Sequence, residues 1–220
     1  LNIALAGTGV GKSLLMCHLA SSYLLQGLNV LYITLEMAEE RIAERIDANL
    51  LDVTMEDLHD MPQQLYEGKI TKLREKTQGQ LVIKEYPTAS AHSGHFKSLM
   101  NELALKKSFR PDVIFIDYLN ICASSRFKGG NISSYFYVKA IAEELRGLAV
   151  EFNVPIFSAT QTTRTGYVST DIGLEDTSES FGLPATADFM FALISNEELE
   201  ALGQMKVKQL KNRYNDPSLN

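Results

Sequence analysis

Residues 2–20, NIALAGTGVGKSLLMCHLA, decide the fold. The apolar run Ile3-Ala4-Leu5 leads into AGTGVGKS at 6–13, and Leu14, Leu15, Met16, Leu19 and Ala20 continue at helical spacing. Strand, glycine-rich turn, Gly-Lys-Ser and helix form the pattern of a nucleoside-triphosphate site. A phosphate chain needs several backbone N–H groups at close range, so side chains are absent at Gly7, Gly9 and Gly11 and the loop becomes a nest for anions. Gly7, Thr8, Gly9, Val10, Gly11, Lys12, Ser13 and Leu14 are the candidate nucleotide-binding set. Lys12 offers a point charge to the β- and γ-phosphates and Ser13 a hydroxyl to Mg²⁺, while the helix starting near Gly11 presents its positive end. ATP and Mg²⁺ are the expected ligands. The first position of the pattern is Ala6 rather than glycine, small enough for the turn.

Beyond this unit, strand-like runs alternate with helical patterns. Residues 30–35 precede a helix over about 38–50, 81–85 precede one over about 94–107, and 113–117 precede one over 133–152. Strands follow at 155–160 and 189–194. This βαβ rhythm predicts an α/β fold with a mostly parallel twisted sheet and helices on both faces. The helix at 133–152 is the clearest, with Val138, Ile141, Ala142, Leu145, Leu148, Ala149 and Phe152 on one stripe and Pro155 beyond its end. Thr54 followed by Asp57 predicts a capped short turn, and 62–78 a polar surface helix. Two long stretches lack periodicity, CASSRFKGGNISS at 122–134 and TTRTGYVSTDIGLEDTSES at 162–180. Both follow carboxyl ends of strands, the edge at which open α/β sheets bind ligands.

The apolar strand 113–117 ends in Asp117, a carboxylate suited to holding Mg²⁺. Tyr118 stands where many ATPases carry a glutamate, so the base that activates water must come from elsewhere. The run 30–35 ends at Glu36. A sheet that sets this strand beside those of the phosphate loop and Asp117 would bring Glu36 to the γ-phosphate as base; the alternative is a cap on the following helix. Gln161 ends its strand in the same manner, where a neutral amide can touch the γ-phosphate.

Net charge −6 over 220 residues means that any nucleic-acid contact is local. Basic residues gather at 106–110, at Arg126 and Lys128, and at 206–213, the first group being expected to form a solvated face. His92 and His95 lack the third ligand of a metal site. Cys17 and Cys122 give no disulfide framework, which fits a reducing cytoplasm. No apolar run reaches membrane-spanning length. Composition of 45% hydrophobic and 22% charged residues fits one globular domain over 1–220. The opening at Leu1 and the end after a basic segment suggest a fragment of a longer chain.

Taken together, the motifs resemble the RecA-like ATPase domain of DnaB-type replicative helicases, closest to those of T-even-like bacteriophages. The resemblance rests on AGTGVGKS, YITLEMAEE at 32–40, VIFIDYLNI at 113–121, KAIAEELRGLAVEFNVPIFSATQ at 139–161, LPATADFM at 183–190 and LKNRYND at 210–216. It implies an ATP-driven helicase motor that moves 5′–3′ on single-stranded DNA, with Glu36 as catalytic base and Gln161 as γ-phosphate sensor. Lys12 and Ser13 would bind phosphate and Mg²⁺, and Asp117 would complete the metal site. Lys211 and Arg213 match the basic pair that reaches into a neighbouring subunit's site in a homo-hexamer. The 122–134 and 162–180 stretches correspond to channel loops, with Arg126, Lys128, Gly129, Gly130 and Arg164 as DNA contacts. Ser178 departs from the arginine that bacterial members carry. The resemblance further implies a primase and a helicase loader as partners, no membrane, and a collar, linker helix and last strand that this sequence lacks. The rival reading is a RecA- or KaiC-like ATPase with a recombination or signalling output.

Overall fold

VLYIT and VIFID are buried at every position, because helices cover both faces of the sheet they enter. A computed structural model describes residues 1–127, 132–163, 172–177 and 182–215. The strands are β1 (Asn2–Ala6), β2 (Val30–Thr34), β3 (Leu81–Glu85), β4 (Val113–Asp117), β5 (Ile156–Gln161), β6 (Phe189–Ile194) and β7 (Lys206–Asn212). The helices are α1 (Lys12–Leu25), α2 (Glu39–Leu51), α3 (Met55–Asp60), α4 (Gln63–Lys76), α5 (Ser93–Lys107), α6 (Ser134–Phe152), α7 (Gly182–Thr186) and α8 (Glu197–Ala201). Short 3₁₀ turns occupy Leu119–Ile121 and Leu174–Asp176.

The sheet order is β3-β2-β4-β5-β1-β6-β7, parallel throughout except that β7 runs antiparallel to β6 at the edge. One expectation needs correcting. β2 lies beside the Asp117 strand β4, but β4 and β5 both separate it from the phosphate-loop strand β1. The connection through α1 therefore passes over two strands, and later β6 is added on the other side of β1. The reversal opens the crevice at which such sheets take ligands.

Alternation along the strands divides the core. Tyr32 and Phe115 face α1 and α2, packing with Met16, Cys17, Ala20, Ile42 and Ile46, and the rings of Tyr32, Phe115 and Phe157 stack across three strands at 5.7 and 5.5 Å. Ile33, Ile114 and Ile116 face α5 and α6, meeting Phe96, Met100, Val138, Ile141, Leu145 and Leu148. The stripe expected on 133–152 is thus the buried face of α6.

Local chemistry sets the ends. Thr54 and Asp57 form the expected reciprocal capping box on α3. The His92 and His95 pair does the same work on α5: the Nδ1 of His92 accepts from the Gly94 N–H and that of His95 from the His92 N–H. Lys106 pairs with Glu102 on the outer face of α5, as a solvated face would. Both cysteines are buried and free, and burial pushes the Cys17 thiol up to about 11. Among the described residues no helix is long and apolar enough to cross a membrane.

Candidate nucleotide site

The phosphate loop turns on two glycines in the left-handed region, Gly9 at φ +80° and Gly11 at φ +107°. A side chain at either position would strain the backbone. Gly11 is also the N-cap residue of α1, so the turn ends where the helix begins. Lys12, in the first turn of α1, folds back over the loop and donates from Nζ to the carbonyls of Gly7 at 2.8 Å and Ala6 at 3.1 Å. Burial lowers its pKa, and the carboxylates of Glu36 and Asp117 work the other way.

Register explains why distant residues meet here. Ala6 is the Cα partner of Gln161 on β5, and Thr34 is the partner of Asp117 on β4. One residue further, the Leu35 N–H donates to the Asp117 carbonyl at 2.9 Å, so Glu36 emerges just past Asp117. A cavity of about 250 Å³ is lined by Thr8, Gly9, Gly11, Lys12, Ser13, Leu14, Glu36, Asp117, Tyr118 and Gln161. Glu36 is exposed and lies ahead of α2, whose N-cap is Ala38 and whose first-turn acids are Glu39 and Glu40. The cap alternative for Glu36 is therefore not what the fold uses.

Asp117 is almost wholly buried, with 1% of its surface exposed. Desolvation raises its carboxyl pKa against hydrogen bonds from Ser13 and from the Tyr32 hydroxyl, the latter at 3.0 Å, and against the charges of Arg45 and Lys12. A divalent cation held by Ser13 and Asp117 would supply the positive charge that this buried acid calls for, so the donor set fits Mg²⁺.

Arg45, half-buried on α2, also lines the cavity. Its sequence signal was a charge set between the core residues Ile42 and Ile46. Tyr32 carried a similar signal, a hydroxyl between the apolar residues Leu31 and Ile33 of β2.

The basic residues at the far edge are placed differently from expectation. In sequence Arg213 has no nearby acid except Asp216, yet its Nε lies 3.0 Å from Asp188 Oδ1. The reason is the antiparallel β6–β7 pairing: Phe189 is opposite Asn212, so the residues flanking them fall together. Asp188 also accepts from Arg146 Nε, at 3.1 Å to Oδ1. Lys211 donates from Nζ to the carbonyls of Pro184 and Ala185.

Arg126 is exposed but engaged by Glu143 of α6. It shares one groove of about 390 Å³ with Arg146 and Arg213. Lys128, Gly129, Gly130, Arg164, Ser178 and Asp216 lie outside the described residues. The start of the 122–134 stretch is held by Glu144, which accepts from Ser124 Oγ at 2.6 Å, from Ser93 Oγ at 2.8 Å and from the Ser125 N–H at 3.0 Å. Sequence reasoning missed Glu144 because its partners come from two other segments.

The same arrangement of strands is found in solved structures. One solved ATPase domain superposes with a TM-score of 0.78 at 16% identity, covering 98% of this chain and 78% of that one. A DnaB-like replicative helicase, described with its interactions with primase, gives 0.77 at 17% identity, covering 97% and 52%. In sequence, the chain is 52% identical over 219 residues to the DnaB-like replicative helicase of Enterobacteria phage T4, covering 98% of this chain and 46% of the relative. It is 33% identical over 168 residues to a probable plasmid replicative DNA helicase of Chlamydia trachomatis, covering 74% and 35%. The chain thus spans less than half the length of these relatives. The family described as DnaB-like helicase C-terminal domain matches residues 1–214. With its mostly parallel sheet, its phosphate loop and this match along nearly its whole length, the chain belongs to the DnaB-like helicase C-terminal domain family.

Proposed function

We propose that this chain is the ATP-hydrolysing motor of a replicative DNA helicase that moves 5′–3′ along single-stranded DNA at the replication fork. The observation that carries the proposal is the meeting of Lys12, Ser13, Glu36, Asp117 and Gln161 around one cavity, although they come from four strand ends. Lys12 and the loop N–H groups hold the phosphates in line, Glu36 orients the attacking water and accepts its proton, and the Gln161 amide touches the γ-phosphate. Mg²⁺ held by Ser13 and Asp117 would neutralise charge on the β- and γ-oxygens. Lys211 and Arg213 act in trans, toward the site of the next subunit in a homo-hexamer. Arg126, Lys128, Gly129, Gly130 and Arg164 follow the DNA backbone without reading sequence. Primase and a loader are the expected partners, in the cytoplasm of a host cell.

The test is ATP hydrolysis by the full-length protein with and without single-stranded DNA. Hydrolysis that rises with DNA is the expected result; an ATPase indifferent to DNA would overturn the helicase reading and favour a signalling output instead.

A further inference from the structure

The ladder between β4 and β5 stops at Ile116 and Ser158, one residue before Asp117. Past that point the two chains stay joined by side chains. Gln161 Nε2 donates to the Tyr118 hydroxyl at 3.1 Å, and the Thr160 hydroxyl donates to Asn120 Oδ1 at 2.8 Å. Thr160 is fully buried, and Tyr118 and Gln161 both line the nucleotide cavity. These two bonds hold Tyr118, which leads into the first turn after β4, and Asn120 at the middle of that turn, and the turn runs on into the 122–134 stretch that carries Arg126.

That stretch is equally fixed on its other side. The Ala123 N–H donates to the Ala91 carbonyl at 2.7 Å, Ser124 and Ser125 are held by Glu144, the Tyr137 hydroxyl accepts from the Ser124 N–H at 3.1 Å, and Arg126 is held by Glu143. Residues 118–127 therefore form a braced arm, with the Gln161 amide on Tyr118 at one end and Arg126 near the other. Packed segments of this kind shift between discrete arrangements rather than deforming smoothly.

We propose that Tyr118 and Asn120 clasp the end of β5 to this arm, which makes Tyr118 a positioning residue for Gln161 and ties contact of DNA at Arg126 to the state of the γ-phosphate. The proposal rests on the helicase reading above. It assigns a route to the 122–134 stretch that is separate from the chain running directly on from Gln161 into 162–180. Gln161 lines the cavity while giving one amide N–H to the Tyr118 hydroxyl, so the clasp restricts how the amide can sit there.

The experiment uses full-length protein and measures hydrolysis with and without oligothymidylate, taking the ratio of the two rates. Thr160→Val and Tyr118→Phe, each removing one hydroxyl, are expected to lower that ratio about threefold to tenfold, within the range seen for substitutions between coupled sites. KM for ATP and the thermal midpoint of Thr160→Val, whose side chain does not line the cavity, should stay near those of the parent. Thr160→Ser restores the hydroxyl and should restore the ratio. If the parent itself is not stimulated by DNA, the helicase reading fails and the clasp falls with it. If the parent is stimulated and both variants keep its ratio, the clasp alone is overturned. Loss of stimulation in Thr160→Ser as well as Thr160→Val would overturn it too, since packing rather than the hydroxyl would then be responsible.

Discussion

Asp188 and Arg213 hold each other across the open end of the β6–β7 pair, with Oδ1 and Nε 3.0 Å apart and the Arg213 N–H donating to the Asp188 carbonyl at 2.9 Å. The Nη2 of Arg213 also donates to the carbonyls of Ala185, Thr186 and Ala187 at 3.0 to 3.4 Å. Nε and Nη2 are thus anchored, and the guanidinium is oriented by its own subunit. Asp188→Asn in the full-length protein should lower kcat about tenfold or more while KM for ATP changes little, the signature of a misplaced group that acts in the transition state. Steady-state kinetics on assembled protein checks it; a raised KM with unchanged kcat would show that Asp188 serves binding instead.

The trans role of Arg213 has its own test. Neither full-length Arg213→Ala nor full-length Lys12→Ala should hydrolyse ATP well alone, because each lacks one half of every site. Mixed rings place some intact Lys12 sites beside intact Arg213 residues, so activity should return in part. An arginine acting in trans contributes ~10³-fold or more in related phosphoryl-transfer systems. Mixtures that stay silent although both variants assemble would refute the role.

Lys12→Ala should keep the fold and lose most nucleotide binding. Among the described residues the ammonium donates to the backbone carbonyls of Ala6 and Gly7, so its removal should leave the core in place. Calorimetric titration with a non-hydrolysable ATP analogue, together with a thermal melt, separates the two effects.

Glu36→Gln should bind nucleotide and turn over at least ~10²-fold more slowly, the scale for losing a placed general base. Glu36 is exposed and makes no cap, so its loss should leave stability unchanged. Hydrolysis at the parental rate would move the base to another residue.

Glu144 offers a test by pH. Burial pushes its carboxyl up, but hydrogen bonds from Ser124, Ser125 and Ser93 outweigh this and hold it below the usual range. A carboxylate lowered in the folded state adds stability above its unfolded pKa, near ~4.3, and that stability is lost as pH falls through the folded value. Glu144→Gln should therefore lower stability near neutral pH by about 1 kcal/mol or less, since the carboxylate is partly exposed, and the gap to the parent should narrow as pH falls below ~4.3 and through the folded value. Denaturant titrations at both pH values check it.

Much of the site was legible because its demands are local. Only glycine suits the left-handed turns at Gly9 and Gly11, and an apolar strand that ends in Asp117 announces itself without knowledge of its neighbours. The cap on α3 and the buried stripe of α6 were equally plain, since their partners lie within a few residues. Strand order was harder: periodicity gives the existence of β2 and β4 but not which strand lies between them and β1.

What the sequence by itself determined is the βαβ alternation, the phosphate loop and the carboxylates and amide at strand ends, all carried by spacing along the chain. What only the tertiary structure decided is who meets whom across long separations: Asp188 with Arg213, Glu144 with Ser93 and Ser124, and Gln161 with Tyr118. Those pairs depend on register and on the direction of each crossover, and neither leaves a local trace in residue type.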